Sequence, residues 1–119
     1  MLKTKSIQLK KTGSDGIRIC TMRRIKPEFE FDMWLPVLSP STELLKEHHD
    51  GKVTWEEFSK KLRKELFPKQ NIYLEMIYEL SKTKSVTLLC WEESHEECHR
   101  SLLAKELQKL HPQLKIQLS

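Results

Sequence analysis

Between Cys90 and Arg100 the chain gathers the residue types that chemistry needs: two thiols, an imidazole, carboxylates and a guanidinium. Cys90 closes an apolar run, Glu92 follows it, and Cys98-His99-Arg100 comes a few residues later. A thiol near a helix N-terminus has its thiolate stabilised by the helix dipole, and more so beside an arginine. An imidazole takes or gives a proton near neutral pH. The set therefore offers Cys98 or Cys90 as nucleophile or redox thiol and His99 as base. Arg100, with Arg23 or Arg24, would be an anion clamp, and Glu92 a further ligand contact. Each element also has a plain structural role. A cysteine at a strand end can be packing, an inward histidine can be a hydrogen-bonded prop, and Arg100 can pair with Glu96 or Glu97 at little gain. Arg23 and Arg24 can simply be a solvated loop. What favours chemistry is that all of these converge on one sheet edge.

Other templates do not fit. A Cys-x5-Arg phosphate loop starting at Cys90 would need arginine where Glu96 stands, and there is no Cys-x-x-Cys. Cys90, His95, Cys98 and His99 contain metal-ligand types, but their spacing matches no standard zinc pattern, so no metal is assigned and no cofactor is named. Glycine occurs only at 13, 16 and 51, which argues against a glycine-rich phosphate loop.

The net charge of +4 favours anionic partners through the long-range field. A small anionic ligand, phosphorylated ones included, is the first expectation. The alternative is a nucleic-acid- or protein-binding module without catalysis. Lysine and arginine are spread along the chain without a basic tail, and no aromatic-rich RNA motif is present, so that alternative ranks second. Three cysteines at wide spacing make a poor disulfide framework. Residues 1–11 lack the apolar centre of a signal peptide. The longest apolar run, Val86 to Trp91, is far short of the ~20 residues that cross a bilayer. The expectation is a protein of the reducing cytoplasm with no membrane partner.

The elements that must position these residues can be read from periodicity. Ser6–Leu9 alternates as a short edge strand, and Gly13–Gly16 is a turn. Ile17–Met22 alternates as a second strand and leads into the basic loop Arg23–Pro27. Residues 29–38 read as irregular, with one helical turn near Trp34. Ser39 with Pro40 reads as a helix start, with the helix ending before Asp50-Gly51. Thr54 and Glu57 form a capping box for a helix carrying Trp55, Phe58, Leu62 and Leu66, stopped by Pro68. Asn71 caps the next helix, whose apolar face is Tyr73, Met76, Ile77 and Leu80. Val86–Trp91 reads as a central strand covered on both faces. Ser94 and Glu97 form a second capping box, opening a helix to about Leu110. On a wheel of about 100° per residue, His99 falls near the centre of the face made by Leu102, Leu103, Leu107 and Leu110, so it points inward under the strand ends. Lys115–Leu118 is a last short strand. Strands separated by helices imply crossovers and a mostly parallel sheet. Such sheets bind ligands at the carboxyl ends of their strands. The expected architecture is one small α/β domain over residues 1–119, Rossmann-like and three-layered.

These residues also resemble a known family. Cys90-Trp91-Glu92 followed by Cys98-His99-Arg100-Ser101-Leu102-Leu103-Ala104 is similar to the C-terminal motif of the domain-of-unknown-function 488 family. Asp32-Met33-Trp34-Leu35 with Leu38-Ser39-Pro40-Ser41-Thr42-Glu43-Leu44 resembles its middle motif. Trp55-Glu56-Glu57-Phe58 with Glu65-Leu66 resembles its next helix, and the first strand and Arg18 to Arg24 fit as well. Many members carry a Trp-Pro-Arg-Gly-like loop after the second strand, where this chain reads Arg24-Ile25-Lys26-Pro27-Glu28-Phe29. The resemblance implies a small Rossmann-like domain with Arg23, Arg24, Cys90, Glu92, Cys98, His99 and Arg100 at motif positions. It implies no reaction, cofactor or partner.

Overall fold

The computed structural model describes residues 1–119. Five strands, β1 (Leu2–Ser6), β2 (Ile17–Cys20), β3 (Met33–Trp34), β4 (Val86–Cys90) and β5 (Ile116–Gln117), form one sheet in the order β3-β2-β4-β1-β5. Every neighbouring pair is parallel. All of β4 is buried, as its unbroken apolar run requires of a strand covered on both faces. Four helices, α1 (Thr42–His49), α2 (Trp55–Leu66), α3 (Asn71–Thr83) and α4 (His99–Leu110), flank the sheet. The result is a mostly parallel, Rossmann-like α/β domain. No helix is long and apolar enough to cross a membrane.

The first strand differs from its expected place. It runs over Leu2–Ser6 rather than Ser6–Leu9, and it lies inside the sheet between β4 and β5. Leu2, Thr4 and Ser6 point to one face and are buried, while Lys3 and Lys5 point to the other. The lysine stems lie along the sheet and their ammonium groups reach carbonyls of Ser14 and Lys10, so a lysine-rich strand sits inside the sheet.

Register fixes which side chains share a face. Leu2, Val86 and Ile17 are aligned across three strands, as are Thr4, Leu88 and Ile19. This face joins the helices in the main core, where Leu2, Ile19, Val86 and Leu88 cluster with Leu62, Ile77 and Leu103. The opposite face carries a thinner layer. There Cys20 and Leu89 pack with Ile7, Met22, Ile25 and Phe29 from the loops after β1 and β2. Gly16 makes this register reachable. It adopts φ 65°, and a Cβ there would sit 2.1 Å from the Ser85 carbonyl oxygen, which accepts the Ile17 N–H at 2.9 Å.

Helix starts are where local signals and structure part. The capping box at Thr54 and Glu57 forms as expected and opens α2. Helix α1 begins two residues later than expected: Ser41, not Ser39, is its N-cap and accepts the Leu44 N–H. Ser39 instead donates to the Pro36 carbonyl, closing a short 3-10 turn at Pro36–Leu38. Glu65 of α2 accepts the Ser41 N–H at 2.8 Å, which fastens the start of α1 to a neighbouring helix. Asn71 is the first residue of α3 rather than its cap. The buried face of α3 centres on Leu74, Ile77 and Tyr78, with Tyr73, Met76 and Leu80 only half-buried. Ser94 does not open α4. Its hydroxyl accepts the Glu96 N–H in a turn, and the helix starts at His99 with Cys98 as N-cap. Leu110, expected on the apolar face of α4, is exposed.

Candidate functional site

Strand alternation decides which cysteine belongs to the site. Cys90 lies on the helix-bearing face in line with Leu88 and Val86, whereas Cys20 pairs in register with Leu89 and faces the loop layer. Cys20 is fully buried, and burial pushes its thiol up. It has packing but no chemistry around it. Cys90 ends β4 directly beneath the start of α4. Its carbonyl accepts the Ile7 N–H, and Ser6 and Gln8 both donate to the next carbonyl, that of Trp91. The strand end is thereby fixed from the β1 side.

His99 points inward, as the wheel predicts, and is 6% exposed. Its Nδ1 lies 3.3 Å from Cys90 Sγ. Its Nε2 lies 2.8 Å from the Thr21 carbonyl oxygen and 3.2 Å from the Thr21 hydroxyl, whose own proton goes to the Leu89 carbonyl. A carbonyl only accepts, so Nε2 carries the proton. In the neutral ring Nδ1 then has its lone pair toward the Cys90 thiol. Thr21 just past β2, Cys90 at the end of β4 and His99 at the start of α4 thus form a thiol–imidazole–carbonyl row of contacts. Thr21 was not singled out in the sequence. The signal that could have found it is its place one residue beyond a strand pairing with β4.

Cys98, the α4 N-cap, is also buried, and its Sγ, the Cys90 Sγ and the His99 nitrogen all lie within 4.8 Å of one another. The two thiols are pushed apart. The Cys98 thiol beside it, together with the Glu92 and Trp91 N–H groups and the Arg100 charge, outweighs burial and lowers the Cys90 thiol. Burial and the neighbouring Cys90 push the Cys98 thiol well up. Of the two candidate nucleophiles, Cys90 is the one whose surroundings favour the thiolate, and Cys98 the one whose burial opposes it. The same three atoms are close enough to share a small ligand or a metal ion, with the Thr21 carbonyl orienting the imidazole as a carbonyl commonly does for a metal-bound histidine. His95, weighed with them as a ligand type, is not part of this cluster.

Arg100, expected as part of an anion clamp, is not among the residues that line the cavity at this edge. It is fully buried, and its guanidinium donates to the carbonyls of Glu92 at 2.8 Å, Glu93 at 3.4 Å and Ser119 at 2.8 Å. It makes no pair with Glu96 or Glu97. It ties the loop after β4 to α4 and to Ser119, beyond the last strand, and so positions the backbone beside Cys90. Ser101 does the same, donating to the His95 carbonyl at 2.6 Å.

Cys90, Cys98 and His99 form part of the wall of a cavity of about 290 Å³ at the carboxyl edge of the sheet. Arg23, Arg24 and Glu92 line it too, so the expected ligand contacts meet at one place apart from Arg100. Arg23 is anchored through Nε on the Pro40 carbonyl at 2.9 Å, and its terminal amino groups have no protein partner. The wall also includes His48 from the end of α1, Trp55 and Phe58 from α2, and Trp91 from the loop after β4.

The family model DUF488-N3a, described as the active DUF488-N3 subclade, matches residues 2–111. No curated protein and no solved structure matches the chain.

Proposed function

This chain belongs to the DUF488-N3a family, the active DUF488-N3 subclade, and from that premise we propose that it is an enzyme acting on a small anionic ligand, with Cys90 as nucleophile and His99 as base. The observation that carries this reading is the 3.3 Å approach of Cys90 Sγ to His99 Nδ1 on a ring whose other nitrogen is already held by Thr21. The Cys90 proton passes to Nδ1, and the sulfur attacks an electrophilic centre of the ligand. The bond to the leaving group breaks as the sulfur bond forms, and the leaving group takes the proton from His99. Water, deprotonated by the same imidazole, then displaces the sulfur and restores the thiol. Arg23 and Arg24 would hold the anionic group at the rim, and Cys98 would steady the Cys90 thiolate, once formed, by donating its S–H. Free buried thiols suit such a protein to a reducing compartment such as the cytoplasm.

Alkylation by iodoacetamide, mapped by mass spectrometry, tests the proposal. In wild type, Cys90 should be labelled faster than Cys20 and Cys98, and labelling should persist below the usual thiol range near ~8.5. His99→Ala should slow Cys90 labelling at neutral pH by roughly tenfold or more. Equal, slow labelling of all three cysteines in both proteins would remove the nucleophile.

A second reading, a metal ion held by Cys90, Cys98 and His99, is favoured by their mutual 4.8 Å limit. Metal analysis of the same protein separates the two. Stoichiometric zinc or iron, lost in Cys98→Ser, would replace the nucleophile reading. A module that only binds nucleic acid would instead show salt-sensitive binding of DNA or RNA that survives Cys90→Ser.

A further inference from the structure

We infer that the cavity takes a flat aromatic or heteroaromatic ring carrying one anionic group, with the ring against Trp55 and His48 and the anion against Arg23 and Arg24. This rests on the small-anion reading above but not on its thiol chemistry.

The wall of such a cavity need only exclude water, and aliphatic side chains would do that. Here Met22, Pro40 and Leu45 share the wall with several rings. Trp55 and Phe58 stack with centroids 5.0 Å apart and planes 19° apart. The His48 ring sits 4.8 Å from Phe58 and 6.0 Å from Trp55. Phe58 is buried and belongs to the core, but Trp55 and His48 keep part of their surface uncovered, and all three line the cavity. Trp91 stands at the same cavity with 42% of its surface open, its ring fixed by the Phe29 edge at 5.8 Å. Isolated exposed aromatics are ordinary on a protein surface. Preset ring faces gathered around one cavity are a stacking platform, because flat π faces attract one another beyond the area they bury.

The charges supply the other half of the ligand. Arg24 has no protein partner and Arg23 has one, through Nε alone. Guanidinium groups with free amino donors suit a phosphate- or carboxylate-type anion. Size sets the limit. About 290 Å³ lies at the small end of ligand cavities, enough for one ring system with one anionic group and too little for a whole dinucleotide.

Calorimetric titration of Cys90→Ser, which removes the thiol chemistry, tests the inference with phenyl phosphate, cyclohexyl phosphate, inorganic phosphate and phenol. Phenyl phosphate should bind about three- to tenfold tighter than cyclohexyl phosphate, which has the same charge and a similar size but no flat π face. It should also bind more tightly than inorganic phosphate or phenol. Trp55→Leu should erase the preference for the flat ring. His48→Leu, which leaves the Trp55 packing in place, should reduce it. Arg23→Gln with Arg24→Gln should weaken all three phosphates by about tenfold or more and leave phenol unchanged. Equal binding of phenyl and cyclohexyl phosphate would overturn the ring and leave the anion site standing. Phenol binding alone, with none of the phosphates, would overturn the inference and the anion reading together. Fast His99-dependent alkylation of wild-type Cys90 without any ring preference would sink only the inference made here.

Discussion

At the scale of single residues, one strand position separates a thiol set beside an imidazole from one packed among apolar side chains. Cys20 and Cys90 both end parallel strands, yet β-strand alternation turns Cys90 toward α4 and Cys20 toward the loop layer. Cys20→Ala should leave Cys90 alkylation unchanged, measured side by side with wild type. Arg100 is a motif residue whose guanidinium is taken up by backbone carbonyls. Its guanidinium holds three carbonyls, and Arg100→Gln would leave buried acceptors unpaired. A loss of about 2–4 kcal/mol in urea unfolding is expected. Arg100→Lys cannot span the same carbonyls and should recover only part of it. If Arg100→Gln unfolds like wild type but loses phosphate binding, Arg100 is a ligand contact after all.

At the scale of elements, the parallel pairing around β4 rests on local geometry. Gly16→Ala meets both a positive φ and the Ser85 carbonyl. It should destabilise by roughly 2–4 kcal/mol, whereas Gly51→Ala, which has positive φ but open space, should cost nearer 1 kcal/mol. Equal losses would mean that the Ser85 contact is not what holds the register. Thr54→Ala removes one half of a formed capping box and should cost about 1 kcal/mol. Ser94→Ala should cost little, because Ser94 caps only a turn. Two sequences with the same box pattern thus predict different losses. The difference lies in Arg100 and Ser101, which bind the carbonyls of the 91–98 loop and hold it off the helix.

At the scale of the whole molecule, the sheet's loop-covered face contains buried charge. Asp15 is 4% exposed and sits among Lys5, Thr12 and Arg18. Burial pushes its carboxyl up, but the Thr12 N–H, Lys5, the Thr12 hydroxyl and Arg18 outweigh that and bring it to about 2, from 3.8. A carboxyl depressed in the folded state stabilises the fold above its unfolded value and loses that contribution as pH falls through the folded one. Stability should therefore be full above about pH 5 and decline between about pH 4 and 2, by roughly 2–3 kcal/mol. Asp15→Asn should unfold more readily at neutral pH and show a flatter acid limb in denaturant titrations. An unchanged acid limb would place the acid sensitivity elsewhere.

How much of this was legible without coordinates follows from the range of each interaction. The β4 run, the α2 capping box, the inward His99 and the carboxyl-edge location could all be read, because each depends on periodicity or on neighbours within a turn. The starts of α1 and α4 could not. Ser39-Pro40 and Ser94–Glu97 carry genuine start signals, but Glu65 overrides the first from another helix, and Arg100 overrides the second by holding the Glu92 carbonyl together with that of the distant Ser119. The interior place of β1 was hidden because lysine stems count as polar in sequence while they pack as hydrocarbon. By itself the sequence determined the family, the α/β class and the chemical identities at the site. Only the tertiary structure decided which thiol meets His99, that the Thr21 carbonyl sets its tautomer, that Arg100 is a brace, and that His48 and Trp55 face the same cavity as Cys90. Those outcomes depend on strand order and register, which bring residues about 80 positions apart into hydrogen-bond range and leave no local trace in the chain.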